Sequence, residues 1–244
     1  MLQPTRGIVL KSVKYGDTSL IVTVFTRTFG VQSYIVQGIR SAKAKQQRAG
    51  LMQPATLLDM VVYNKPQQNL QRIREFQPAY IYMSLHEEII KNSIALFSVE
   101  LLLRLLPEHA PMPEVFDFVF DYLCTLDREH AGDCANLPLF FIICISRLLG
   151  YEIHGNYSDA TPHPNLAEGA FTEAPPRMAP FLEDEDARAL DSLLKVQHPD
   201  ELKKIELNAA ARNRLMDWYI EFLHRHTQHM GAIRSLAVLR AILH

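Results

Sequence analysis

Along the first 76 residues the apolar positions come in short, β-branched runs, and after residue 78 they switch to helical spacing. Residues 7–13 are rich in Ile, Val and Leu, and Ser19–Thr26 follows a Tyr15-Gly16-Asp17 turn signal. Residues 31–38 partly alternate, and Arg27-Thr28-Phe29-Gly30 reads as a tight hairpin connection in which Gly30 supplies a positive φ. A fourth strand is predicted at 56–63 and a fifth at 70–76, where simple alternation puts Leu70, Arg72, Arg74 and Phe76 on one face. Asn64-Lys65-Pro66 turns between them. Without helical crossovers these strands predict an antiparallel sheet, and closing it into a five-stranded barrel removes its edges.

The rest reads as helices at 82–106, 114–126, 137–149, 183–196, 208–229 and 232–243. Glu183-Asp184-Glu185-Asp186 opens one of them, with the charge that a helix N-terminus favours. Residues 151–180, rich in Pro, Gly, Asn and Ala, have no clean period and predict an irregular insertion. The expectation is an α+β multidomain chain, with a barrel over 1–80 and an all-α region over 81–244 that carries this insertion.

Composition narrows the class. Apolar residues at 48% and charged residues at 21% of 244 exclude global disorder. Three cysteines spaced ten apart offer neither a disulfide framework nor a CxxC metal pair. Residues 1–7 hold no secretory apolar core, and the apolar stretch 137–149, broken by Pro138 and Arg147, is short for a bilayer. A cytoplasmic protein without membrane partners is expected.

The net charge of −2 conceals an asymmetry. Residues 1–80 hold eleven Lys and Arg against three acids, an excess of +8, and the remainder carries −10. Such a cationic segment attracts polyanions through counterion release. Its densest stretch, 40–54, contains Arg40, Lys43, Lys45 and Arg48 and no acid, and reads as a long phosphate-contacting loop. Lys11, Lys14, Arg72 and Arg74 would extend that track across the barrel. Among Tyr15, Phe29, Tyr34 and Tyr63 as base-stacking platforms, Tyr34 beside Ser33 is the one most expected at the surface.

The order of these features resembles the bacterial recombination mediator family RecO. The resemblance runs from the opening strand through Tyr15-Gly16-Asp17, Phe25-Thr26-Arg27, Phe29-Gly30, Gly38-Ile39-Arg40 and Leu51-Met52-Gln53-Pro54. It continues through Leu148-Leu149-Gly150-Tyr151 to Ser235-Leu236-Ala237-Val238-Leu239-Arg240, and so spans nearly the whole chain. It implies an N-terminal oligonucleotide/oligosaccharide-binding (OB) barrel, binding of single- and double-stranded DNA, and annealing of complementary strands. It also implies work with RecR, and in some settings RecF, to load RecA onto strands coated by single-strand-binding protein, whose acidic C-terminal tail it can contact. Arg212, Arg214 and Arg234, in an otherwise acidic half, are the candidates for that tail.

The chain departs from the family at one point. Many members carry a four-cysteine zinc module after the Leu-Gly-Tyr segment, and 151–180 contains no cysteine. His154 and His163 make a poor zinc set, and His224, His226 and His229 lack a completing carboxylate, so no metal or other cofactor is expected. No GxSxG, P-loop, HExxH or GxGxxG motif is present, which argues against an enzyme. The rival expectations are a protein-binding adaptor without DNA contact and a metal-dependent nuclease.

Overall fold

The computed structural model describes residues 2–39, 49–65, 68–228 and 230–243. The predicted loop cations Arg40, Lys43, Lys45 and Arg48, and His229, lie outside the described residues. The chain's contacts group into two compact units, one of Met1–Glu88 with Val99–Arg128 and one of Ile89–Ser98 with Glu129–His244.

In the first unit, β1 (Leu2–Tyr15), β2 (Ser19–Thr26), β3 (Gly30–Val36), β4 (Leu57–Tyr63) and β5 (Leu70–Pro78) form a closed barrel in the order β1-β2-β3-β5-β4. All pairs are antiparallel except β3 with β5, which is parallel and completes the closure, a pairing the antiparallel reading did not anticipate. Val9, Val22, Val24, Tyr34, Leu58, Met60 and Val62 fill the interior.

Two β-bulges decide which side chains point outward. On β1 the register slips between Val9 and Lys11, so Val9 and Leu10 are both buried and Lys11 faces out. On β5 the slip lies opposite Val61/Val62, so Gln71 and Ile73 point inward before it and Phe76 after it. The predicted common face of Leu70, Arg72, Arg74 and Phe76 is therefore broken at Arg74.

The β2–β3 turn is built as expected. The Thr26 hydroxyl accepts from Phe29 N–H and donates to Gly30 C=O. Gly30 has φ +69°, and a Cβ there would collide with the Ala110 backbone. The chain after β5 is tied down by a single carboxylate. Asp127, near the end of α2 (Pro113–Arg128), accepts from the N–H groups of Met83, Ser84 and Leu85 and from the Tyr80 hydroxyl. Those amides are thus withdrawn from a helical turn, and α1 spans Ile89–Leu105 rather than beginning at residue 82.

The second unit packs α3 (Leu137–Leu148) against α4 (Asp184–Lys195) and α5 (Ala209–His226), with α6 (Ser235–Ile242) at the C-terminal end. Asn208 caps α5 by accepting from Ala211 N–H, and Asp186 joins α4 to Arg214 of α5 through two hydrogen bonds. With the 3-10 turn Ala131–Asn136 before it, α3 forms an 18-residue apolar stretch that is long enough by composition to cross a bilayer, longer than the sequence suggested. Nine of the twelve residues of α3 are buried within the unit, as in a core helix.

The insertion is more ordered than its composition suggests. His163–Asn165 (β6) and Ala170–Thr172 (β7) pair antiparallel over buried Leu166 and Phe171, and the His226 ring on α5 lies 2.7 Å from Leu166 O. It holds no cysteine, and among the described residues no three His, Cys, Asp or Glu side chains stand together, so its residues do not fit a structural zinc site.

Burial alone would raise the pKa of Asp127, but the three amides and Tyr80 outweigh it and hold the carboxylate below its ordinary value. Asp127→Asn should therefore cost about 2–3 kcal/mol in urea denaturation at neutral pH. With the folded-state pKa the lower one, this stabilisation is complete above the ordinary carboxylate range and fades as the pH falls through the depressed value. The Asn variant should lack that part of the acid dependence; equal acid profiles would contradict the assignment.

Candidate nucleic-acid interface

Strand register assembles one outer face from four strands. Lys11, Thr23, Ser33 and Leu70 form one row across β1, β2, β3 and β5, and Val13, Ile21, Ile35 and Arg72 form the next. Three strand spacings separate Lys11 from Leu70, roughly 14 Å along the sheet. Tyr63 of β4 lies opposite Arg72 at one flank, and Tyr15 ends β1 at the other. Tyr15 is 53% exposed and Tyr63 is 39% exposed.

The charges sort by face. Arg6 pairs with Asp59 at 3.4 Å and lies over the Phe120 ring, Arg27 binds Asp117 of α2 through two hydrogen bonds, and Arg74 pairs with Glu75 at 3.2 Å. The bond to Asp117 raises the Arg27 pKa and, reciprocally, lowers that of Asp117. By contrast, Lys11, Lys14, Lys65 and Arg72 form no ion pair among the described residues, and neither does Asp17 in the β1–β2 turn. Lys11 and Arg72 belong to the β1–β2–β3–β5 face, Lys14 is exposed near the end of β1 opposite Leu20, in the other phase of the strand, and Lys65 lies in the β4–β5 turn. Arg6 and Arg74, with Asp59 and Glu75, line a separate 770 Å³ hollow on β1, β4 and β5.

The predicted track across the barrel thus divides. Lys11, Lys14 and Arg72 are exposed and uncompensated, while Arg74 lies past the bulge beside Glu75. Lys65 in the β4–β5 turn joins the first group; its signal in the sequence was a cation inside a Pro-containing turn. Tyr34 is corrected outright. It is 0% exposed, and its hydroxyl donates to Gln32 Oε1 at 2.8 Å inside the barrel. Strict alternation with Gln32 and Val36 turns it inward, and burial pushes its phenol pKa up. Phe29 packs partly buried against the same core. Of the four aromatic candidates, Tyr15 and Tyr63 are the exposed ones.

The three helical arginines are also separated. Arg212, with Arg240, borders a narrow apolar cleft lined by Leu139, Met216, Leu236 and Leu239. Arg214 is held by Asp186, and Arg234 is exposed just before α6. The Arg212 guanidinium donates to Leu207 C=O, and burial lowers its pKa. Among the described residues no three His, Cys, Asp or Glu side chains stand together as metal ligands.

A closed five-stranded barrel in this order is of the OB type, which meets its ligands on the outer face of the second and third strands and at the β1–β2 and β4–β5 turns. The family description "Recombination protein O N terminal" matches residues 1–82, and "Recombination protein O C terminal" matches residues 86–236. The chain belongs to the RecO family. It is 30% identical to a protein of Phocaeicola vulgatus named DNA repair protein RecO, with 99% of each chain covered. It is 26% identical to the protein of that name from Christiangramia forsetii, again over 99% of each, and 28% to that of Flavobacterium johnsoniae over 98% of each.

Uncompensated exposed cations contribute little to folding. Replacing Lys11, Lys14, Lys65 or Arg72 by Gln should each shift the unfolding free energy by no more than about 0.5 kcal/mol. Tyr34→Phe, which leaves the buried Gln32 oxygen without its donor, should cost about 1 kcal/mol or more in the same urea titration.

Proposed function

We propose that this chain is a DNA repair protein that binds single-stranded DNA without reading its sequence, anneals complementary strands and helps load recombinase onto coated single strands in the bacterial cytoplasm. The observation that carries the reading is the set of cations without an ion pair among the described residues, Lys11 and Lys14 on β1, Lys65 in the β4–β5 turn and Arg72 on β5, which stand around the β2–β3 face where OB-type barrels take their ligands, between the exposed Tyr15 and Tyr63. Arg40, Lys43, Lys45 and Arg48 add cations to the connection between β3 and β4. The names of the relatives agree with a repair role.

Annealing on this reading needs no catalytic group. Cations that neutralise phosphates let two strands approach, and base pairing supplies the driving force. RecR, RecA and, in some settings, RecF are the proposed partners, with duplex DNA as a second ligand. The coat protein's acidic tail is assigned to the apolar cleft beside Arg212 and Arg240, where an apolar chain end would pack and its carboxylates would compete with Asp217 for Arg240. Leu236→Glu should then abolish capture of such a tail peptide and leave DNA affinity unchanged; unaltered capture would remove the cleft from the reading.

The main test is anisotropy of a labelled oligothymidylate over a range of salt. Affinity should fall linearly on a log–log plot. The triple variant Lys11→Glu, Lys14→Glu, Arg72→Glu should lower the slope by about 2, at roughly 0.7 per lost phosphate contact. A protein that binds no DNA, or a triple variant with unchanged slope and affinity, would favour the adaptor reading.

A further inference from the structure

The turn between β4 and β5 shapes a second feature on the same face, a hollow of 410 Å³ lined by Tyr63, Lys65, Gln68, Gln71 and Arg72. Its volume lies within the range of about 300–1,000 Å³ typical of small-molecule sites. Its described lining contains one aromatic ring, two cations and no carboxylate. Tyr63 and Arg72 are direct cross-strand neighbours, so the ring and the guanidinium stem rise side by side from the sheet. Among the described residues none stacks on the Tyr63 ring.

The hollow is held in shape from beneath. Gln71 is 2% exposed and spends its side-chain amide on the turn. It accepts from Lys65 N–H at 3.0 Å and donates to the carbonyls of Lys65 at 2.7 Å and Gln68 at 2.6 Å. A buried glutamine satisfied in this way ties the Lys65 and Gln68 backbones to β5, next to the Arg72 that pairs with Tyr63, which reduces the ordering cost of binding. The larger hollow on β1, β4 and β5 lacks these properties, since its cations stand beside Asp59 and Glu75.

We propose that the Tyr63–Lys65–Arg72 hollow is a pocket for one unstacked nucleobase, which gives the barrel a preference for single-stranded over duplex DNA. The base lies against Tyr63, and its flanking phosphates rest on Arg72 and Lys65. In a duplex every base is already stacked and paired, so filling the pocket would require extrusion of a nucleotide, whereas a single strand offers bases at little cost. Phosphate contacts elsewhere on the face do not discriminate in this way. This inference rests on the nucleic-acid reading above and deepens it.

The test uses the full-length protein with labelled oligothymidylate, the same strand made abasic, and a duplex of equal length, all at one salt concentration. Tyr63→Leu should weaken binding of the base-bearing single strand about tenfold, within the range for loss of one stacked base, and leave the abasic strand and the duplex within about twofold. Tyr63→Phe, which keeps the ring, should match the unsubstituted protein. The unsubstituted protein should itself bind the abasic strand about tenfold more weakly than the base-bearing one, a comparison independent of how any variant folds. Equal losses for all three ligands, or none for any, would overturn the pocket while leaving salt-dependent DNA binding intact. Absence of DNA binding by the unsubstituted protein would overturn both proposals and is recognisable as such.

Discussion

A closed barrel has no free edge strand, so its backbone pairing is turned inward on itself, and the outer face is what remains for a ligand. What that face carries is set by the two-residue alternation of β-strands and by the places where alternation slips. Here the slips are at Leu10 and Arg74. Without the first, the phase that buries Val9 would turn Lys11 into the apolar core; with it, Lys11 faces solvent beside Thr23. The second allows Gln71, Ile73 and Phe76 all to point inward, leaving Arg72 in line with Ile35 and Tyr63.

The carboxylates then divide the surface. Asp59, Glu75 and Asp117 each meet an arginine, Arg6, Arg74 and Arg27 in turn, and Arg27 joins the β2–β3 hairpin to α2. No acid among the described residues pairs with Lys11, Lys14, Lys65 or Arg72. The cations without an ion pair among the described residues thus lie near the exposed tyrosines, so that on the proposed reading a polyanion would meet cations and stacking surface together. Such a surface is suited to holding a strand without reading its sequence.

Much of this was legible in the residues. Alternation and turn chemistry mark all five barrel strands, and the turn sequence marks Gly30 as a positive-φ position, for which the close approach of the Ala110 backbone is a second reason. The spacing of Leu, Ile and Phe placed the principal helices. What escaped were effects of sequence-distant partners. A bulge leaves no mark in a run such as Leu70–Pro78, because bulged and unbulged phases both fit its residues. Tyr34 looked exposed because Ser33 adjoins it, yet neighbours on a strand face opposite ways. The late start of α1 depends on Asp127, some forty residues downstream. In the insertion, Leu166 and Phe171 lie among prolines and glycines without a period, and their burial depends on the β6–β7 ladder.

The central claim is that the β1–β2–β3–β5 face, and not the hollow of paired charges formed by Arg6, Asp59, Arg74 and Glu75, receives the strand. Photo-crosslinking of a halogenated single strand to the full-length protein, with the attachment sites mapped by mass spectrometry, addresses it most directly. The account predicts adducts at Tyr15 and Tyr63 and in the peptides that carry Lys11 and Arg72. Adducts concentrated around Arg6, Asp59 and Phe120, or confined to the helical unit, would contradict it.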